Sequence, residues 1–278
     1  MILDLSVHKE KTFFRSFFEK LNGNSKVKKG DMRLLIVKSL LFALGFTLIH
    51  VFSKYMKFLH INPRSKLLSV AGGISVAYVF MHLLPELNSH QEKLDHTGFP
   101  SEAFGLAENN VYLSAMIGLT VFYGLEKMVK TSKRRLEKSG NKEKTEIFWI
   151  HILSFSVYNF IIAYLLLRGE NSKDTTTMFL YFLALSFHFM SNDHSLRQLH
   201  KQSYDKYGRW LLAFSIMVGW GTSVAFEINE KVISMLFAFL AGGIVLNVLK
   251  EELPEERESN FIAFACGVIL YTVLLLAI

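Results

Sequence analysis

The chain lacks the means to form an internal disulfide, because it has a single cysteine, Cys266, which lies in an apolar block. It also lacks a glycine-rich phosphate loop and the cysteine and histidine spacing of a zinc finger. The first 30 residues are polar and basic without a continuous apolar core, so we expect no cleavable signal peptide. The net charge of +7 is interpreted from where the basic residues lie along the chain and not as a sign of nucleic-acid binding. We therefore expect no nucleic-acid partner.

What the chain does have is a large apolar content, 51% of its residues, arranged in long uninterrupted blocks. Blocks of about 20 apolar residues are long enough to cross the hydrocarbon core of a bilayer as helices. We therefore predict an all-α, polytopic integral membrane protein with eight transmembrane helices and no soluble domain between them. The predicted spans are about 33–56, 66–85, 110–130, 147–168, 177–196, 208–226, 232–250 and 260–278.

A basic N-terminal segment, residues 1–31, precedes the predicted membrane domain, residues 32–278. Apolar residues recur in the segment at helical spacing, opposite lysine and arginine, as in a helix that lies in the membrane interface. These residues are Phe13, Phe14, Phe17, Phe18 and Leu21. A disordered basic tail is the alternative interpretation.

An internal repeat relates the two ends of the chain. The stretch AGGISVAYVFMHLLPE, residues 71–86, nearly recurs as AGGIVLNVLKEELPE, residues 241–255, one residue shorter. Paired glycines in membrane helices allow close approach of a neighbouring backbone. The closing Pro-Glu predicts the point at which each helix ends. Because the copies lie five spans apart, they cross in opposite directions, which predicts the inverted repeat common in secondary transporters.

Basic residues are concentrated in the loops after spans one, three, five and seven, above all in residues 127–144. The positive-inside rule places these loops in the cytoplasm and both termini outside. Residues 127–144 are interpreted as a topology determinant that also contacts anionic lipid headgroups. The absence of a signal peptide is compatible with insertion into the plasma (cytoplasmic) membrane.

Spans four and five hold the candidate site, because the repeat leaves them unpaired in the middle of the chain. His188 and Asn192 are four residues apart and share a helix face, and Asn159 of span four is expected to meet them. Imidazole nitrogen and amide oxygen are both ligands of divalent cations, and histidine suits zinc. Asp193 adds a carboxylate, about 100° further round the helix. Hydrogen bonding between the helices is the alternative role for these side chains.

The pattern resembles the ZIP family of divalent-metal transporters. The resemblance covers all eight spans and rests on the two repeat copies, on GLTVFYGLEKMVK in span three and on the final apolar span. It implies a 3+2+3 arrangement of inverted repeats around spans four and five, with outward termini and a metal site on the central pair. It also allows a homodimer.

The functional motifs of the family are only partly present. In span four, Asn159 and the aromatic residue after it match, while Ile162 stands at an acidic position. In span five, His188 matches and Asn192 stands where a second acid is expected. The resemblance therefore implies metal-binding roles for Asn159 and His188, with Asn192 at a substituted position. Together with Asp193, these residues form the predicted metal site.

Three functions are compared. The first is a ZIP-like transporter of Zn²⁺, iron or manganese, in which the metal is the substrate and no catalytic residue or cofactor is expected. The second is a ZIP-fold membrane protein that does not transport and acts as a sensor, partner or structural subunit. The third is an intramembrane zinc hydrolase, suggested by the histidines at 151, 188, 194 and 200. It explains neither the span number nor the repeat, so we expect a transporter and not an enzyme.

Overall fold

The computed structural model describes residues 29–56, 66–96, 110–139, 145–172, 174–252 and 260–277, and every regular element in these ranges is helical. The chain divides into two compact units, residues 1–38 and 39–278. The described residues of the first unit, 29–38, are the beginning of the helix Lys29–Phe52. The second unit contains the rest of that helix and all the remaining described helices. The predicted amphipathic helix around residues 13–21 lies outside the described residues. The α-helices are α1 Lys29–Phe52, α2 Lys66–Tyr78, α3 Leu84–His96, α4 Asn110–Ser139, α5 Thr145–Arg168, α6 Thr175–Ser203, α7 Arg209–Ala225, α8 Glu230–Glu252 and α9 Phe261–Leu276.

Within the described part of the chain, four helical segments are both long and apolar enough to cross a membrane, and α9 is apolar but shorter. The four segments are Asp31–Tyr55, Lys66–Leu94, Glu146–Arg168 and Glu230–Lys250. They are consistent with an integral membrane protein, and the all-helical fold class is confirmed for the described residues. Each of the eight segments predicted from hydropathy overlaps a helix.

Two helices extend well beyond the apolar segments that predicted them. Helix α4 continues nine residues past position 130, through TSKRRLEKS, and α6 continues to Ser203. Hydropathy detects only the apolar part of a helix, whereas lysine, arginine and glutamate are good helix formers in water. Hydropathy therefore could not predict the polar C-terminal ends of α4 and α6.

The prediction that the first repeat copy stops being helical at Pro85 is wrong. A π-helical turn, Val79–Leu83, joins α2 to α3, and α3 continues through Pro85 to His96. Proline lacks an N–H and its ring collides with the preceding turn of an α-helix. Here the preceding turn is wider, since Leu84 N–H bonds back to the carbonyl of Val79.

Helices α2 and α9 approach each other at reciprocal glycines. A Cβ atom on Gly73 would collide with the carbonyl oxygen of Phe264, and one on Gly267 would collide with that of Val70. Each glycine thus faces a carbonyl that lies three residues before the glycine of the partner helix. The two backbones are therefore in direct contact at these glycines.

Helices α4 and α8 repeat the same arrangement. A Cβ atom on Gly118 would collide with the carbonyl oxygen of Phe239, and one on Gly242 would collide with that of Ala115. The carbonyls again lie three residues before the partner's glycine. The second pair therefore reproduces the first, with α8 in the place of α2 and α4 in the place of α9.

Helix α6 begins at a side-chain cap. The Oδ1 atom of Asp174 accepts hydrogen bonds from the N–H groups of Thr176 and Thr177, at 2.9 and 2.8 Å. These contacts and the Thr177 hydroxyl hold the pKa of the Asp174 carboxyl below its usual value, with the side-chain hydrogen bond of Thr177 as the largest cause. The cap thus satisfies two of the N–H groups that have no partner within the first turn of α6.

Candidate metal site

His188 and Asn192 lie on one face of α6, as predicted, and both are buried. The His188 Nε2 atom lies 2.9 Å from the Asn192 side-chain nitrogen and 2.7 Å from the hydroxyl of Tyr158 on α5. Both neighbours can donate a hydrogen, so Nε2 is the acceptor and carries the lone pair. The structure thus brings together two predicted residues and adds Tyr158 as a third contact.

Asp193 points to a different neighbour, His50 of α1. Its two carboxylate oxygens lie 2.9 and 3.0 Å from the Nδ1 atom of His50. The side chains are 0% and 1% exposed, so this is a fully buried contact. Asp193 follows Asn192 by one residue and is therefore rotated about 100° round the helix, which turns it from the His188 face towards α1.

Asn159 completes this second group. Its side-chain nitrogen lies 2.9 Å from the Nε2 atom of His50, and Asn159 is 1% exposed. Sequence reasoning expected Asn159 to meet His188, but it is Tyr158, one residue earlier, that contacts His188. The two residues are adjacent on α5 and point in different directions. The four predicted residues consequently form two groups, one centred on His188 and one on His50.

Sequence reasoning missed His50. It lies in span one, 143 residues before Asp193, and hydropathy gives no reason to pair α1 with α6. A signal was nevertheless present, because an ionisable residue inside an apolar span usually faces the interior and has a function. His50 is held further by Phe189, whose ring centroid is 4.8 Å away, so its orientation is restricted by packing.

The His50 group continues towards the π-helical turn Tyr204–Gly208. The hydroxyl of Ser53 donates to the carbonyl oxygen of His50 at 2.8 Å and lies 3.0 Å from the hydroxyl of Tyr204. Tyr204 is fully buried and also lies beside the Asp193 carboxylate. This polar network links the end of α1 to the end of α6.

A separate ionic cluster joins α4, α5, α6 and α8. The Nδ1 atom of His151 lies 3.0 Å from the Nε2 atom of His200, and its Nε2 atom lies 3.9 Å from Glu126. Lys250 forms an ion pair with Glu126 at 3.2 Å. The two ring nitrogens of His151 face different residues, His200 and Glu126, so these side chains do not converge on one point. It ties four helices together by charge and hydrogen bonding.

A third polar group lies on the π-helical turn Val79–Leu83 and on α3. Glu86 is buried between His82 and His90, at 3.6 and 4.0 Å, and the Nδ1 atom of His90 lies 2.8 Å from the hydroxyl of Ser234. A cavity of about 80 Å³ lies beside His90. The contact between His82 and Glu86 joins the π-helical turn to α3, and the helix continues beyond it.

The donor atoms of the candidate site suit a divalent cation only in part. Within the described ranges, no three histidine, cysteine, aspartate or glutamate side chains converge closely enough to hold one metal ion. Each group does offer an imidazole Nε2 atom beside an asparagine amide, at Asn159 and at Asn192. Rotation of either amide by half a turn would place its oxygen next to the imidazole nitrogen, giving one nitrogen and one oxygen ligand.

Comparison with known proteins adds nothing to this geometry. No model of a known protein family matches the chain, and no curated protein matches it.

Proposed function

We propose that this protein is a ZIP-like carrier of divalent metal ions, zinc first and iron or manganese next, built from eight transmembrane helices. One observation carries the proposal. The two imidazole Nε2 atoms of His188 and His50 are each buried beside an asparagine amide, in α6 and α1, two of the helices that we propose to cross the membrane. Polar and ionisable residues are expensive in such helices and are kept there for ion pathways and binding.

The repeated glycine contacts support the inverted-repeat part of the proposal. In three-span repeats of opposite direction, span two corresponds to span seven and span three to span eight. The pairing of α2 with α9 would then be mirrored by the pairing of α8 with α4, and both pairs show the same reciprocal glycine arrangement. The central helices α5 and α6, which carry the site, stand outside this correspondence, as in a 3+2+3 design.

The site is poor in negative charge, and this sets the expected strength of binding. Asp193 is the one carboxylate among the four predicted ligands, and it already contacts His50. Removing a dication from water is costly unless anionic ligands compensate for the lost hydration. We therefore expect weak binding, which is compatible with a carrier that must release its substrate.

A second candidate, a ZIP-fold protein that no longer transports, is favoured by a specific observation. The Nε2 atom of His188 already has two hydrogen-bond partners, Tyr158 and Asn192, which satisfy it without a metal. Hydrogen-bonded polar side chains of this kind also hold membrane helices together. Measurement of transport separates the two candidates.

The test is zinc uptake into proteoliposomes that contain the purified protein, compared with two variants. His188→Ala removes the central imidazole. His82→Ala is the matched control, since His82 is a partly exposed histidine on the π turn that contacts Glu86. We expect saturable uptake by the wild type and by His82→Ala, and uptake at the level of empty liposomes for His188→Ala. All three proteins must give the same size-exclusion profile.

Two results would contradict the proposal. Unaltered uptake by His188→Ala would show that the ion does not use this site. If well-folded wild type takes up neither zinc nor iron, manganese or cadmium, the protein is a non-transporting member of the fold, and the search turns to its partners.

A further inference from the structure

Two buried histidines meet at the junction between the start of α5 and the end of α6. The Nδ1 atom of His151 lies 3.0 Å from the Nε2 atom of His200, and the two residues are 2% and 3% exposed. Aromatic rings pack around this contact: the Phe148 ring lies 5.5 Å from that of His200, and Trp149 lies 6.0 Å from Tyr207, between centroids. The junction is thus aromatic with a titratable pair inside it.

The contact between the two imidazoles limits how many hydrogens they can hold. An N–H···N bond has one hydrogen between the facing nitrogens, because one nitrogen donates and the other must keep its lone pair. The closed pair can therefore carry at most three hydrogens on its four ring nitrogens, since a fourth would set two N–H groups head to head. Two separated imidazoles have no such limit. An open form of the junction consequently accepts one proton more than the closed form.

Charged side chains from two further helices face this pair. Glu126 of α4 lies 3.9 Å from the Nε2 atom of His151 and 3.2 Å from the ammonium group of Lys250 on α8. Lys130, one turn after Glu126, pairs with the same carboxylate at 3.7 Å. The two lysines outnumber the carboxylate, so these surroundings do not supply the negative charge that two adjacent imidazolium ions would need.

The backbone of α6 bends at the same histidine. His200 has φ −134° and ψ 41°, which are not helical angles, within an otherwise helical element. The π-helical turn Tyr204–Gly208 follows four residues later. Kinks and π turns interrupt the regular hydrogen bonds of a helix, and they are the points at which helices bend. The segment 200–208 can therefore move relative to α5 while the rest of α6 stays in place.

We propose that the His151–His200 pair is a proton-binding site that holds this junction closed at neutral pH and opens it in acid. Uptake of the additional proton from solution breaks the N–H···N bond, and both imidazolium groups turn towards water. An exposed imidazole binds a proton near pH 6.5. The closed form is accordingly favoured above about pH 6.5 and is lost as the pH falls below that value. The inference involves no metal and does not depend on transport.

The pair lies at one end of the interface that carries the candidate metal site. Phe155 packs between His151 and Tyr158, at 5.3 and 5.9 Å between ring centroids, and Tyr158 contacts His188. Opening of the junction would admit water to this end of the interface between α5 and α6. For a carrier, acid would then favour the state in which the site is open on this side.

The experiment measures the distance across the junction by double electron–electron resonance. In a Cys266→Ser background, Glu146→Cys at the start of α5 and Gln202→Cys near the end of α6 carry the spin labels, since both positions are exposed. The full-length protein is labelled in detergent at about pH 8 and then measured in steps down to about pH 5, on either side of the ordinary imidazole pKa.

The test variants are His151→Gln and His200→Gln. Glutamine both donates and accepts hydrogen bonds but does not titrate, so it can keep the contact at every pH. His90→Gln is the matched control, because His90 is a buried histidine in a different polar group, where it lies 2.8 Å from the Ser234 hydroxyl. All labelled proteins must give the same size-exclusion profile.

We expect one short distance in every protein at about pH 8. With the native pair, and in His90→Gln, a second and longer distance should grow below about pH 6.5. The ratio of open to closed protein should rise up to about tenfold for each unit of pH, because one proton separates the two forms. Both glutamine variants of the pair should keep the short distance throughout.

A second measurement needs no variant. Hydrogen–deuterium exchange of the native chain at the two ends of the pH range, corrected for the intrinsic effect of pH, should show loss of protection in residues 148–152 and 200–208 in acid. Retained protection of both segments would overturn the inference.

Two distance results would also overturn it. A single unchanged distance with the native pair would show that the junction does not open. A transition that persists in either glutamine variant, or is lost in His90→Gln, would assign the proton to another group. Neither result bears on zinc uptake, so the proposed function stands or falls separately.

Discussion

Replacing Gly118 of α4 by alanine is expected to destabilise the protein, because the added Cβ atom would lie inside the backbone of α8. Besides the carbonyl oxygen of Phe239, it would meet the carbonyl carbon at 2.8 Å and the Cα atom at 3.0 Å. A side chain could rotate away from such a contact, but a helical backbone cannot. The two helices would have to separate, and the packing along their whole length would loosen.

The size of the effect follows from two opposing terms. Overpacking of a tightly packed interior costs about 1–3 kcal/mol. Alanine in place of glycine in a helix returns up to about 1 kcal/mol. We therefore expect a net loss of about 1–2 kcal/mol, which corresponds to a fall of about 2–8 °C in the unfolding midpoint.

Gly124 provides a matched control in the same helix. A Cβ atom there would meet nothing within 4 Å, so Gly124→Ala keeps the gain in helix propensity without the collision. Thermal unfolding in detergent, followed by tryptophan fluorescence and by loss of the monodisperse size-exclusion peak, compares the two variants with the wild type. A Gly118→Ala midpoint equal to that of Gly124→Ala would refute the close contact of α4 with α8 and remove its support for the repeat.

Two further predictions concern topology and helix capping. In a Cys266→Ser background, a cysteine at Thr131 should resist an impermeant thiol reagent added to intact cells, whereas one at Thr176 should react; labelling at Thr131 would overturn the proposed orientation. Asp174→Ala should lower the free energy of unfolding by about 1 kcal/mol through loss of the α6 cap. Because the pKa of Asp174 is lowered in the folded protein, its contribution is present above the ordinary carboxyl pKa and is lost as the pH falls through the lowered value. The difference between wild type and Asp174→Ala, measured by thermal unfolding against pH, should accordingly shrink in acid, and a constant difference would contradict the capping role.

Much of the helical framework could be predicted from the sequence, because the position of a membrane helix depends on local hydropathy. All eight predicted segments overlap helices, and the paired glycines of the repeat mark real close contacts between helices. The helix ends were less predictable. Charged residues extend α4 beyond the apolar segment, and a π turn allows the chain to remain helical through Pro85.

The candidate site was predictable only within a single helix. The four-residue spacing of His188 and Asn192 places them on one face of α6 whatever the rest of the chain does. Contacts between helices carry no such local signal. The pairing of Asp193 with His50 therefore had to be seen in the structure, as did the contact of Tyr158 with His188.

The sequence by itself determined the helical class, the positions of the apolar helices, the glycine repeat and the face shared by His188 and Asn192. These features depend on the period of a helix and on the cost of placing polar groups in hydrocarbon, both of which act along a short stretch of chain. Only the tertiary structure decided which helices meet, because that depends on side chains far apart in sequence and on how closely the backbones can pack. The contact of His50 with Asp193 is the clearest consequence: 143 residues separate the two in sequence, and helix packing brings their side chains to within 2.9 Å.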